Sequence, residues 1–122
     1  MIDISDDEFQ GLINQALSEL PGEHVKNIKN VAIIYADMPS EEQRLHSHLL
    51  PFQTLLGLYE GVPLTQRQGM TRVLPDKITL FKLPLAAQAR TPAELKEAIK
   101  HTLWHEIAHY YGLDHDQIHA KE

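Results

Sequence analysis

The sequence predicts an α/β (α+β) fold: one domain over residues 1–122, in which a small twisted mixed sheet is packed by helices and the functional helix lies near the C-terminus. Three observations carry this. Stretches near both ends place apolar residues at helical spacing behind capping boxes. Two short apolar runs, around residues 30–36 and 78–83, read as strands. With 122 residues at 43% hydrophobic composition, the chain can bury one core and has little material for a second. No linker-like tract, internal repeat or low-complexity segment divides it.

The elements follow in order. Ser5 with Glu8 forms a capping box, and Phe9, Leu12, Ile13, Ala16, Leu17 and Leu20 repeat on one helix face until Pro21-Gly22 stops it. Val31, Ile33, Ile34 and Tyr35 mark a buried strand over 30–36, ended near Asp37-Met38-Pro39. Ser40 with Gln43 caps a short helix through about Leu49; its His46 and His48 diverge on a helix and read as solvated histidines rather than a second metal site. Gly57, Gly61 and Pro63 shape a loop around Tyr59-Glu60, either a site wall or a plain turn. Ile78 to Leu83, after the turn-like Pro75-Asp76 and before Pro84, is a strand, either an ordinary core strand or an edge strand available to a substrate. Thr91-Pro92-Ala93-Glu94 opens the last helix with a capping box and a proline at its first position, and Leu95, Ile99, Leu103 and Tyr110 supply its core face.

That helix ends in His105-Glu106-Ile107-Ala108-His109-Tyr110-Tyr111-Gly112-Leu113-Asp114-His115, the pattern HExxHxxGxxH. Chance supplies the whole pattern in a chain of this composition on the order of one time in ten thousand, so it needs a chemical reason. Histidines four apart on a helix lie about 40° apart around its axis and can share one ion. A catalytic zinc takes about three protein ligands and keeps one position open for water. His115 can return as the third ligand because Gly112 readily ends the helix in the left-handed conformation. Glu106 projects about 100° around from His105, beside the metal, where a carboxylate can take a proton from zinc-activated water and pass it to a leaving amine. The expected chemistry is hydrolysis with one zinc ion per chain. Cobalt, manganese and iron also accept histidine ligands. No cysteine and no GxSxG offers a competing nucleophile.

This extended motif resembles the signature of metzincin-like peptidases, and the wider sequence resembles small bacterial zincin-like metallopeptidase domains of minimal zincin fold. Leu55-Leu56-Gly57-Leu58-Tyr59-Glu60-Gly61-Val62-Pro63-Leu64-Thr65 and Leu74-Pro75-Asp76-Lys77-Ile78-Thr79-Leu80-Phe81-Lys82 look like further segments of that family, so the resemblance spans roughly the C-terminal half to two-thirds. It implies His105, His109 and His115 as ligands, Glu106 as catalytic acid/base, and a peptide or protein substrate. The methionine turn of the large metzincins has no counterpart, since Met1, Met38 and Met70 all precede the motif and only Asp116 to Glu122 follow it. A stripped-down site is therefore expected.

His101 lies one turn before His105, but three successive turns of imidazole cannot all reach one ion at about 6 Å of rise per four residues. Tyr59, Tyr110 and Tyr111 read better as packing residues with satisfied hydroxyls than as oxyanion donors. Asp114 and Asp116 can orient the ligating imidazoles, and Asp116 can alternatively cap a short terminal helix containing Ile118.

The net charge of −6 argues against a broad electrostatic grip on nucleic acid or an anionic membrane. No apolar run approaches the roughly 18 residues of a membrane span, and Met1-Ile2-Asp3-Ile4-Ser5-Asp6-Asp7-Glu8 lacks a signal peptide's basic and apolar regions. With no cysteine present, these features predict a cytoplasmic protein. Two other readings stand beside the peptidase. A metal-dependent endoribonuclease also spaces three histidines as HxxxHxxxxxH, but has a small residue at the Glu106 position and needs a basic groove, for which Arg67, Arg72 and Lys77 are the nearest candidates. A zinc-holding module that binds a peptide or protein without cutting it is the third.

Overall fold

The computed structural model describes residues 2–22, 31–46, 54–61 and 76–111. In chain order these form α1 (Asp6–Glu19), β1 (Val31–Ala36), α2 (Glu41–His46), β2 (Gly57–Glu60), β3 (Asp76–Phe81), α3 (Lys82–Ala87) and α4 (Pro92–Tyr111). The architecture is α+β: a three-stranded mixed sheet in the order β1-β3-β2, with β1 parallel and β2 antiparallel to β3.

Local chemistry sets the helix starts. Ser5 Oγ accepts the Glu8 amide at 3.2 Å while Glu8 accepts the Ser5 amide at the same distance, closing the expected capping box. Three acidic residues in the first turn of α1 complement the helix dipole. Leu20 then turns to extended backbone, as a residue before proline must. Ser40 and Gln43 make the same reciprocal pair ahead of α2. At α4, Thr91 Oγ1 accepts the Glu94 amide at 3.1 Å, but the Glu94 carboxylate reaches one residue further back, to the Arg90 amide at 2.9 Å. Pro92 occupies the first helical position, where no amide hydrogen is needed.

Register sorts the sheet into two faces. Val31, Ile33, Tyr35, Asp76, Ile78, Leu80, Gly57 and Tyr59 share the face against the core. There Phe9, Ile13 and Ala16 of α1 meet Leu95, Ile99, Leu103 and Ile107 of α4, all buried. Burying a large aliphatic or aromatic side chain contributes about 1.5–3 kcal/mol, which makes this seam the main source of cohesion. The rings of Phe9 and Tyr35 meet edge to face at 5.5 Å, joining α1 to β1. At the surface, Lys96 and Lys100 of α4 reach Glu19 of α1 at 2.7 and 3.4 Å.

Three expectations change here. Among the described residues the strand over 30–36 begins at Val31 and lies at the edge of the sheet: Ile34 is 42% exposed, and only alternate residues face the core. The strand expected over Ile78–Leu83 spans Asp76–Phe81 and lies in the middle of the sheet, so β1 and β2 pair with both its rims and it has no edge to offer a substrate. Pro84 does not close it. The chain enters α3 at Lys82, and Pro84 stands in the first turn, where a helix has unsatisfied amides anyway. The loop expected around Tyr59-Glu60 contains a strand, β2. Asn30, His48, Leu49, Pro63, Leu74 and Pro75 lie outside the described residues.

The Glu19 carboxylate is held below the ordinary glutamate range, first by its hydrogen bond to Lys96 and further by Lys100. A lowered carboxylate pKa contributes stability that is present above the unfolded value and lost as pH falls through the folded one. Glu19→Gln is therefore expected to unfold at lower urea than wild type at neutral pH, with the gap starting to close near the ordinary glutamate pKa of about 4.3 and vanishing only below the lowered folded-state value, where both side chains are uncharged. Urea midpoints across that pH range check this.

Candidate active site

Helix α4 carries two faces. Leu95, Ile99, Thr102, Leu103, Ile107 and Tyr110 are buried, whereas His101 is exposed and His105 and His109 are half-buried. The four-residue repeat stacks the three imidazoles in a ladder along the rim of the helix: His101 and His105 have ring centroids 6.1 Å apart, and His105 and His109 5.5 Å apart at 73°. The structure thus brings His105 and His109 together on one side, as two ligands of one ion require. His101 stands a turn further back, about 12 Å of helix rise from His109, too far to share that ion.

Glu106 does not point into solvent. Its residue is 7% exposed, and its Oε1 accepts the backbone amide of Tyr59 in β2 at 2.8 Å while lying 3.2 Å from His109 Nδ1. A carboxylate can be buried at tolerable cost only with such partners. The Glu106 hydrogen bond raises the His109 pKa above the ordinary imidazole value, against the opposing effect of partial burial. Both contacts fall on the same oxygen of Glu106, and the one to His109 is made by Nδ1.

Tyr59 is fixed at three points. Its amide donates to Glu106, its ring meets Tyr110 edge to face at 6.2 Å, and its hydroxyl donates to the buried Asp76 carboxylate at 2.5 Å. That hydroxyl is committed to the sheet rather than to an oxyanion. Tyr110 is buried in the core face of α4, and Tyr111, edge to face with Tyr110 at 5.2 Å, has its phenol pKa raised by burial and then by Tyr110. Gly61 follows from the same arrangement: a Cβ there would lie 2.3 Å from the Asp76 carboxylate, and its φ of +157° suits glycine.

Beside His105 and Glu106 a cleft of about 240 Å³ opens, lined by Leu56, Gly57, His101 and Thr102. Leu56 and Gly57, at the start of β2, line this cleft, in keeping with the site-wall reading of the Gly57–Gly61 segment rather than the plain-turn one. The Tyr59 amide has no signature of its own, because any residue but proline supplies one. The detectable signal was the alternation Gly57, Tyr59, Gly61, a period of two.

Among the described residues no group of three or more His, Cys, Asp or Glu side chains is gathered so as to hold a metal ion. His115, the third expected ligand, lies outside the described residues, as do Gly112, Asp114, Asp116 and Ile118. No described helix is long and apolar enough to cross a membrane.

Residues 28–122 match the family model described as Zincin-like metallopeptidase, a span that begins after α1 and takes in the whole sheet and α4. No curated protein matches the chain.

The Tyr59 hydroxyl bond to a buried carboxylate gives a direct prediction. Tyr59→Phe is expected to destabilise the fold by about 1–3 kcal/mol, because Asp76 loses a partner it cannot replace with water. The backbone bond to Glu106 stays. Urea unfolding measures the loss.

Proposed function

The chain belongs to the zincin-like metallopeptidase family, and from that membership and the geometry of α4 we propose that it hydrolyses peptide bonds with one zinc ion per chain, held by His105, His109 and His115, with Glu106 as general base and acid. The observation that carries this reading is the Glu106 carboxylate, nearly buried against β2 at 2.8 Å from the Tyr59 amide and beside a histidine of the same motif. A neutral glutamine could accept the same amide, so the acid at this position has its reason in proton transfer.

The donor set fits zinc. Two imidazoles one turn apart share a face, and the contact of His109 Nδ1 with Glu106 leaves Nε2 as the metal-binding nitrogen, the arrangement in which a carboxylate fixes a ligand's tautomer. When bound, zinc lowers the pKa of its water to about 7 and polarises the scissile carbonyl. Glu106 does the rest of the proton work. Its Oε1 is occupied by the Tyr59 amide and His109, which orients Oε2 to receive the proton of the attacking water and deliver it to the leaving amine. The substrate peptide enters the cleft that Leu56 and Gly57, at the start of β2, line with His101, His105 and Glu106.

The endoribonuclease reading gains nothing here. Of its basic cluster, Lys77 lies 3.8 Å from the Glu60 carboxylate, while Arg67 and Arg72 lie outside the described residues. Glu106 also stands where that pattern has a small residue.

Against a broad peptide library, Glu106→Ala is expected to keep its zinc and lose hydrolysis by roughly 10²–10⁴-fold, and His109→Ala to lose both. Cleavage by Glu106→Ala at the wild-type rate would contradict the assigned role. Zinc retained by wild type with no turnover across the library would favour the binding-module reading instead.

A further inference from the structure

The bond between Glu106 and β2 depends on how closely α4 approaches the sheet, and one position sets that approach. Gly57 is the first residue of β2. A Cβ built on it would lie 2.6 Å from the Thr102 methyl of α4, 3.3 Å from the Thr79 carbonyl oxygen and 3.5 Å from a Leu80 methyl. Real Cβ atoms essentially never approach another heavy atom within 3.0 Å, so a side chain at 57 requires a shift, and Thr102, buried and β-branched on a helix, has few alternative rotamers to absorb it, which puts the shift on the spacing of helix and strand. The other neighbours belong to β3 at ordinary or slightly tight distances. The severe contact is with Thr102, one turn before Glu106 on α4, just as Gly57 stands two residues before Tyr59 on β2. The two pairs form successive rungs between the same helix and the same strand edge.

Strand geometry explains why the second rung reaches Glu106. The Phe81 amide donates to the Leu56 carbonyl at 3.0 Å, so Leu56, Leu58 and Glu60 turn their backbone groups toward β3, and Gly57 and Tyr59 turn theirs toward the opposite rim. The Tyr59 amide therefore points away from β3, where the Glu106 carboxylate meets it.

We propose that Gly57 and Thr102 are positioning residues: the approach of the bare Gly57 backbone to the Thr102 methyl sets the spacing between β2 and α4 at which the Tyr59 amide holds Glu106 in register with His105 and His109. This rests on the role proposed above for Glu106, but the spacing device is testable without turnover. Adding one methyl at 57 separates the rungs and frees the Glu106 carboxylate to adopt other rotamers. Removing the Thr102 methyl makes room for it again.

The first test is amide hydrogen exchange by NMR on metal-free protein, comparing wild type, Gly57→Ala, Thr102→Ala, Gly57→Ala/Thr102→Ala and Glu106→Ala, with the Ile99 and Leu103 amides as controls for the fold. The Tyr59 amide is expected to be protected in wild type and to exchange at least tenfold faster in Glu106→Ala and in Gly57→Ala, with the controls unchanged. The double variant restores its protection. Should Gly57→Ala fail to fold, recovery of the fold in the double variant supports the contact, and a double variant that also fails to fold overturns it. Unchanged Tyr59 protection in a folded Gly57→Ala likewise overturns the proposal. In zinc-loaded protein, Gly57→Ala lowers kcat roughly 10–100-fold with KM within about twofold and zinc content unchanged, and Thr102→Ala restores kcat. A rise in KM alone would make Gly57 only a wall of the cleft and overturn its positioning role. A wild type without turnover defeats the peptidase reading and leaves the exchange result to decide the spacing device.

Discussion

Helix α4 has to satisfy two demands with one set of twenty residues, and most of the structure follows from how it does so. One stripe, Leu95, Ile99, Leu103 and Ile107, must be buried against the sheet and α1 to hold the domain together. The adjacent rim carries His105 and His109, the proposed metal ligands, which are half-buried. A helix buried all round could not present ligands, and one exposed all round could not fix them. The boundary between the stripes passes through Glu106, whose burial would be costly without the Tyr59 amide.

The sheet is built around that requirement. Central β3 is buried on both faces, with Ile78 and Leu80 toward the helices and Thr79 and Phe81 on the opposite side. It supplies a rigid platform on which β2 is laid antiparallel. Among the described strands β2 is an outer one, and its Tyr59 amide is turned toward the helix. Asp76 and Tyr59 then lock the platform from beneath, a hydroxyl-to-carboxylate bond between adjacent strands that keeps the site wall from sliding. Positioned groups on rigid elements are what hydrolytic chemistry needs, since small misplacements of a base are expensive in rate.

Much of this was legible in the residues. The capping boxes at Ser5 and Ser40 and the Thr91 side-chain cap are local signals and mark the helix starts directly. The pair His105 and His109 follows from helical geometry alone. The sheet was harder to read. Val31 to Ala36 looked like a buried strand because its apolar residues run nearly unbroken, yet nothing local distinguishes that from an edge strand with alanine and isoleucine on its outer face. The central place of β3 is a non-local fact of pairing order. The same holds for the partner of Glu106: a backbone amide contributed from a strand 47 residues earlier has no letter in the sequence. Gly57 was visible as a glycine, but its reason lies in the Thr102 methyl across the helix–strand gap.

The central claim is that α4 presents a zinc site. Elemental analysis of untagged protein, purified without added metal, tests it most directly. About one zinc per chain in wild type, falling sharply in His115→Ala, is the result this account predicts. No transition metal in wild type, even after zinc is supplied, would contradict it and remove the basis for hydrolysis at Glu106.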